Sequence, residues 1–254
     1  MTQDFEGKVA IVTGGSTGMG AASVRLLVER GCKVAIVDVN AVDAEALSNE
    51  LGDAVIFVTC DVTDIAATEA AVKTTVDRFG RLDALFNNVG KGFRADTLES
   101  TAAEWHDIIA VNLHSVFNMS KFAIPAIKAS GGGAIVNTAS VDGIAADRSL
   151  SAYNAAKGGV VNYTRNLALD CAQHGIRVNA VCPGYISDTP MTAHMASIPE
   201  VAEAWNRSIP MARGGGAKEV AEVMVFLASD RASYVNGAII PVDGGLLAQT
   251  GFPT

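Results

Sequence analysis

Tyr153 and Lys157 stand four residues apart in the run Ser151-Ala-Tyr153-Asn-Ala-Ala-Lys157. On a helix, that spacing puts the phenol and the ammonium on one face. A phenol with an ordinary pKa of about 10 is a poor base near neutral pH, but an adjacent cation stabilises its phenolate. Such a pair can exchange a proton with a substrate oxygen. Taken alone, it could equally be a surface helical pair.

A second constellation lies near the start of the chain. Val9-Ala-Ile-Val-Thr13 reads as a buried strand and runs into Gly14-Gly-Ser16-Thr17-Gly18-Met19-Gly20, which opens a helical pattern. Glycines at 14, 18 and 20 let the backbone turn tightly and approach a pyrophosphate, whose charge would sit on free N–H groups at the helix N-terminus. The following strand ends at Asp38, about eighteen residues beyond Gly20, where a carboxylate can accept hydrogen bonds from ribose hydroxyls. Neither Ser16, Thr17, Val39 nor Asn40 supplies a cation for a 2′-phosphate, so NAD is favoured over NADP. A helix cap or turn is the alternative role for Asp38.

These groups need a scaffold, and short β-branched runs alternating with longer amphipathic stretches supply one. Strands are expected at about Lys8 to Thr13, Lys33 to Asp38, Ala54 to Thr59, Leu82 to Phe86, Ala134 to Ala139, Arg177 to Val181 and Ala238 to Pro241. Helices are expected near Met19 to Arg30, Ala41 to Leu51, Ile65 to Phe79, Thr101 to Ala129, Ala152 to His174 and Lys218 to Leu227. The pattern predicts an α/β fold, a doubly wound sheet of seven mostly parallel strands with helices on both faces. No linker or repeat divides it, so residues 1–254 read as one domain, with an irregular or helical insertion at about 185–216 that could close over a ligand.

Composition narrows the function classes. The 254 residues are 49% hydrophobic and 18% charged with a net charge of -8, and a chain without a Lys/Arg block is poorly suited to nucleic acid or an anionic membrane. No apolar run reaches the roughly 18 residues of a membrane span, and the acidic, polar start is unlike a secretory signal, so the expected location is cytoplasmic. Cys32, Cys60, Cys171 and Cys182 lack metal or disulfide spacing, as do the four histidines, and no metal is expected.

In order and spacing, these residues resemble the classical short-chain dehydrogenase/reductase family from about Gly7 to Leu247, which implies a Rossmann-like single domain. The resemblance rests on Thr13-Gly14-x-x-x-Gly18-x-Gly20, Asp61-Val62, Asn87-Asn88-Val89-Gly90, Asn112, Ser140, Tyr153 with Lys157, and Pro183-Gly184. Val89 replaces the family's usual alanine. By this resemblance Tyr153 would exchange the proton with the substrate oxygen, Ser140 would hydrogen-bond that oxygen, and Lys157 would hold the nicotinamide ribose and lower the Tyr153 pKa. Asn112 would anchor a water leading from Lys157 to solvent. Asp61 and Val62 would contact the adenine, Asn88 and Gly90 would line the adenosine and ribose side, and Ile186 and Thr189 would approach the carboxamide. One residue more than the family pattern separates Pro183 from Thr189, so either Asp188 takes the threonine position or the loop bulges; the bulge is the reading preferred.

Beside Ser140 and Tyr153, substrate contacts are expected from Val141, Asp142, Leu150 and Tyr185, and from Met191, Met195 and Trp205 in the insertion. Mostly apolar walls imply a medium-sized apolar or cyclic alcohol or ketone. Asp142 could accept a bond from a second substrate hydroxyl or cap local backbone, and sequence does not separate the two. A 3-oxoacyl-(carrier protein) reductase shares these motifs, but its preference for NADPH and an acidic carrier fits poorly with Asp38 and the acidic balance. Enoyl reductases of the family use a longer Tyr-to-Lys spacing. A catalytically idle NAD-responsive regulator is the alternative outside enzymes. Family resemblance also implies a homotetramer.

Overall fold

The computed structural model describes residues 4–250; the remaining ends of the expected 1–254 domain lie outside the described residues. Seven strands form one sheet: β1 (Val9–Thr13), β2 (Lys33–Asp38), β3 (Val55–Thr59), β4 (Ala84–Asn87), β5 (Gly133–Thr138), β6 (Ile176–Pro183) and β7 (Ile239–Val242). Their order is β3-β2-β1-β4-β5-β6-β7. Every pairing is parallel, beyond the mostly parallel sheet expected.

Parallel strands covered on both faces become continuous apolar runs, and β1 is buried at all five positions. Its alternate residues feed two cores. Ala10 and Val12 pack with Leu27 of α1 (Gly18–Glu29) and Met224 of α9 (Ala217–Ala228). Val9 and Ile11 face Val72 of α3 (Ile65–Phe79) and Ile127 of α5 (Ser115–Ala129). The strand order reverses between β1 and β4, and the crevice at the carboxyl ends of strands flanking such a switch point is where ligands bind in this architecture.

Helix starts follow local chemistry. Asn40 caps α2 (Ala41–Leu51), Asp64 caps α3, and Thr101 with Glu104 forms a capping box at α4 (Ala102–Ile109). The long helix expected from Thr101 to Ala129 is instead interrupted. A π-helical turn at Ala110–His114 separates α4 from α5. Within that turn, the Asn112 side chain donates to the Ile108 carbonyl at 3.0 Å, so a side chain meets a carbonyl one turn back. Propensity does not encode such a turn. After α6 (Ser151–Ala172) and β6, the insertion carries α7 (Ala193–Ala196) and α8 (Pro199–Ser208), in which no residue is fully buried.

Candidate active site

At the end of β1, Thr13 fastens two loops together. Its Oγ1 donates to Phe86 O at 3.2 Å and accepts from the N–H groups of Asn88 and Val89, at 2.9 and 3.3 Å. The Asn88 amide then donates to Gly14 O at 3.2 Å. A Cβ at Gly20 would stand 1.9 Å from Gly14 O and 2.8 Å from Asn88 Nδ2, so no larger residue fits this loop without moving it. Helix α1 begins without a side-chain cap at Thr17, unlike α2, α3 and α4, and has no acidic residue in its first turn. Its leading N–H groups and dipole are therefore left for an external anion.

Asp38, at the end of β2, closes over the same loop. Its Oδ2 accepts from Ser16 Oγ at 2.5 Å and from Ser16 N at 3.2 Å, while Oδ1 accepts from Asn40 N at 3.0 Å. At the end of β3, Asp61 accepts from the Thr63 backbone and hydroxyl at 2.9 and 2.7 Å, and the buried Val62 offers its carbonyl to Asn118 at 3.1 Å.

The proton-handling residues come from three places in the chain: α6, the π turn and the end of β5. Lys157 of α6 is buried, and its ammonium donates to Thr138 O at 2.9 Å. It lies 5.7 Å from the centre of the Tyr153 ring. Asn112 is fully buried in the π turn and holds Lys91 through two backbone bonds, accepting from Lys91 N at 3.1 Å and donating to Lys91 O at 2.9 Å. Its Oδ1 and Lys157 Nζ would stand 3.2 and 3.5 Å from a Cβ on Gly90, which brings these polar groups to the same turn. Ser140 follows β5 and its Oγ accepts from Asp142 N at 3.1 Å.

Burial sets the electrostatics. It pushes the Tyr153 phenol up to about 12; a hydrogen bond with Ser140 opposes the rise and the charge of Asp142 adds to it. It also pulls the Lys157 ammonium down to about 8, with Cys182 acting the other way. Desolvation rather than the Lys157 charge thus dominates the phenol in the protein alone. Asp142 is half-buried and its carboxyl is raised, first by desolvation and then by Asp147; Ser140 and Arg94 act in the opposite sense.

One cleft of about 1260 Å³ opens above these groups. Ser140, Val141, Asp142, Leu150, Tyr153, Tyr185, Met191, Met195 and Trp205 all line it, as do Gly90 and Gly184. Tyr185 and Trp205 stack at 5.3 Å between ring centres and 17° between planes. The glycine loop, Asp38, Asp61 and Val62 lie outside this lining. Thr189 and Pro190 pack against Gly18, 3.4 and 3.5 Å from where a Cβ would be, between the loop and the cleft. Asp188 instead accepts from Ala217 N at 2.7 Å and serves the first turn of α9, while Ile186 bridges to Gly215 beside buried Thr189. Pro183 ends β6. Sequence reasoning missed Phe93, Arg94, Leu246 and Leu247, which also line the cleft. Their only signal is position just after the Asn88-Val-Gly90 and Gly244-Gly245 turns.

These features fit a nicotinamide dinucleotide: an uncapped helix N-terminus and a side-chain-free loop for the pyrophosphate, and a buried ammonium for ribose hydroxyls. Among the described residues no group of acidic, His or Cys side chains could hold a metal ion, and no helix is long and apolar enough to cross a membrane.

Comparison with known proteins gives the family. Residues 14–247 match the family described as Enoyl-(Acyl carrier protein) reductase. Meso-2,3-butanediol dehydrogenase of Serratia marcescens is 41% identical over 251 residues, covering 98% of each chain. Levodione reductase of Leifsonia aquatica is also 41% identical, over 96% of each chain. The crystal structure of gox2181 superposes with a TM-score of 0.93 at 36% identity, covering 97% of this chain and 98% of that one. With the strand order, the phosphate loop and full-length relatives all in agreement, the chain belongs to the short-chain dehydrogenase/reductase family of oxidoreductases.

Proposed function

We propose that this oxidoreductase is NAD-dependent and interconverts a secondary alcohol and its ketone, with Tyr153 as general acid and base. The observation that carries the reading is the meeting of Ser140 and Tyr153 on the lining of the cleft with the buried Lys157 ammonium 5.7 Å from the Tyr153 ring, at the same end of the sheet as the uncapped start of α1. A bound nicotinamide dinucleotide would supply the two-electron acceptor or donor. In oxidation the carbinol C–H leaves as hydride and the O–H proton passes to the Tyr153 phenolate, formed once the phenol has released its own proton to solvent; reduction reverses both transfers. Ser140 holds the reacting oxygen, and Lys157, buried beside the ring, offsets negative charge as it develops on the phenol. Asn112 fixes the Lys91 backbone and keeps a polar route beside Lys157. The four-residue Tyr153–Lys157 spacing favours carbonyl chemistry over enoyl reduction.

Asp38 supports NAD over NADP, because its carboxylate stands where a 2′-phosphate would meet a like charge. In the same role assignment, Gly14, Ser16, Thr17, Gly18, Met19 and Gly20 hold the pyrophosphate, Asp61 and Val62 the adenine, and Ile186 and Thr189 the carboxamide side. Asp188 is engaged at α9, which supports the bulged reading of this loop. The cleft walls of Tyr185, Trp205, Met191 and Met195 suit a medium-sized apolar or cyclic substrate skeleton. Phe117 on α5 and Leu169 on α6 expose 47% and 79% of their surface, which supports self-association into the homotetramer the family resemblance implies. A panel of aliphatic and cyclic secondary alcohols, assayed for reduced cofactor with NAD and with NADP, tests the function; turnover with NAD is expected, and none with either cofactor would overturn it.

A further inference from the structure

The proposed proton and hydride chemistry leaves one group beside the reacting oxygen without a task. Asp142 sits in the 3-10 turn Val141–Gly143, two residues from Ser140, and lines the cleft. Its carboxylate caps no backbone. The capping runs the other way, with Ser140 Oγ accepting from Asp142 N at 3.1 Å, and the next N–H groups of the turn, Gly143 and Ile144, donate to the carbonyls of Ser140 and Val141 at 2.9 Å. Among the described residues, the only hydrogen bond to the carboxylate is a long one from Ser140 Oγ to Oδ2 at 3.4 Å. Once Ser140 turns its hydroxyl to a substrate oxygen, that bond is given up. A half-buried carboxylate is then left facing the cleft with its acceptors unfilled, a costly arrangement unless the ligand supplies a donor.

We propose that Asp142 accepts a hydrogen bond from a second hydroxyl of the substrate, on the carbon next to the carbinol, so that the enzyme prefers vicinal diols and, in reverse, α-hydroxyketones. This rests on the alcohol–ketone reading above. The short separation of Ser140 Oγ and Asp142 Oδ2 suits oxygens on adjacent carbons, one held by each residue. The second hydroxyl is not consumed: hydride and one proton leave the carbinol, and the neighbouring C–O bond is unchanged. Desolvation is the leading influence on this carboxyl, and a neutral hydroxyl enters such a position at lower desolvation cost than an ammonium.

The test is a ratio of kcat/KM values for matched substrates: a vicinal cyclohexanediol against cyclohexanol, with the corresponding amino alcohol as a third arm. The wild type should favour the diol by at least about tenfold, and Asp142→Ala should bring the ratio close to one. Asp142→Asn, which keeps an acceptor, should retain part of the preference. Dinucleotide binding, followed by fluorescence, verifies that each variant is folded. An unchanged ratio in Asp142→Ala, including an equal loss on both alcohols, would overturn the proposal, since a residue that merely supports Ser140 affects both alike. A preference for the amino alcohol over the diol would also overturn it. If cyclohexanol is oxidised with no advantage for the diol, this inference alone fails; if no alcohol is oxidised, the reading beneath it fails as well.

Discussion

The glycine loop and the Tyr185–Gly216 segment follow parallel strands at the same edge of the sheet, yet they are held in place by different means. The loop is fixed at its backbone atoms: Gly14 N donates to Val37 O at 2.9 Å, the Asn88 side-chain amide donates to Gly14 O, and Gly20 packs so closely that a Cβ cannot enter. The segment has one short bridge, Ile186 to Gly215, and a backbone bond from Met211 N to Gly244 O at 3.2 Å, and for the rest relies more on side-chain contacts such as the Tyr185–Trp205 stack. Its α8 buries no residue fully, and the Tyr185 hydroxyl is enclosed without a hydrogen-bond partner among the described residues. Backbone-fixed geometry suits a cofactor that never changes. Side-chain packing on short helices is cheaper to alter, and under the proposed function the skeleton of the substrate would be selected there.

Substitutions on the two sides should therefore break different things. The largest effect belongs to the residue between them: Tyr153→Phe should lower kcat by about a thousandfold while dinucleotide affinity changes little, read by steady-state kinetics and a binding titration. Gly20→Val should next abolish measurable dinucleotide binding, because the new side chain must displace Gly14 O; binding at wild-type affinity would show that the loop is not held as described. Asp38→Ser should shift the ratio of kcat/KM for NAD to that for NADP by at least about tenfold toward NADP, with the alcohol preference intact. Trp205→Ala should raise KM for a cyclic alcohol several-fold and leave NAD affinity alone; the reverse pattern would erase the distinction between the two regions.

The smallest effect concerns protons. Lys157 titrates near 8 in the folded protein against an ordinary 10.5, so the unfolded chain binds the extra proton between those values. Stability of the cofactor-free enzyme gains a contribution as pH rises through that window, and the penalty is fully present below about pH 8. Melting curves of the wild type and Lys157→Met between pH 7 and pH 10 should show the difference between the proteins moving toward the wild type as pH rises.

How legible these regions were in the chain also differs. Runs such as Val9-Ala-Ile-Val-Thr13, closed by glycine, mark strand ends to within a residue or two, because a strand buried on both faces leaves no room for polar residues. The glycine loop was readable as a strand–turn–helix junction because its residues are contiguous. The π turn was not, since Ala110-Val-Asn-Leu-His114 reads as ordinary helix and only the bonds of Asn112 to Ile108 O and to Lys91 reveal it. The cleft was half readable. Met191 and Trp205 could be guessed from the insertion, whereas Phe93, Arg94, Leu246 and Leu247 reach it from loops about 150 residues apart, a convergence no local pattern carries. For Asp142, sequence left two roles open, and the bond from Asp142 N to Ser140 Oγ shows that Ser140 caps this turn.

Under the proposed function a hydride would pass directly between a carbinol carbon and the dinucleotide while Tyr153 handles the proton. Incubating the enzyme with NAD and cyclohexanol deuterated at the carbinol carbon, then examining the reduced cofactor by mass spectrometry, tests it most directly. The account predicts one deuterium on the nicotinamide ring for the wild type and almost no reduced cofactor for Tyr153→Phe. Reduced cofactor without deuterium, or undiminished transfer in the variant, would contradict it.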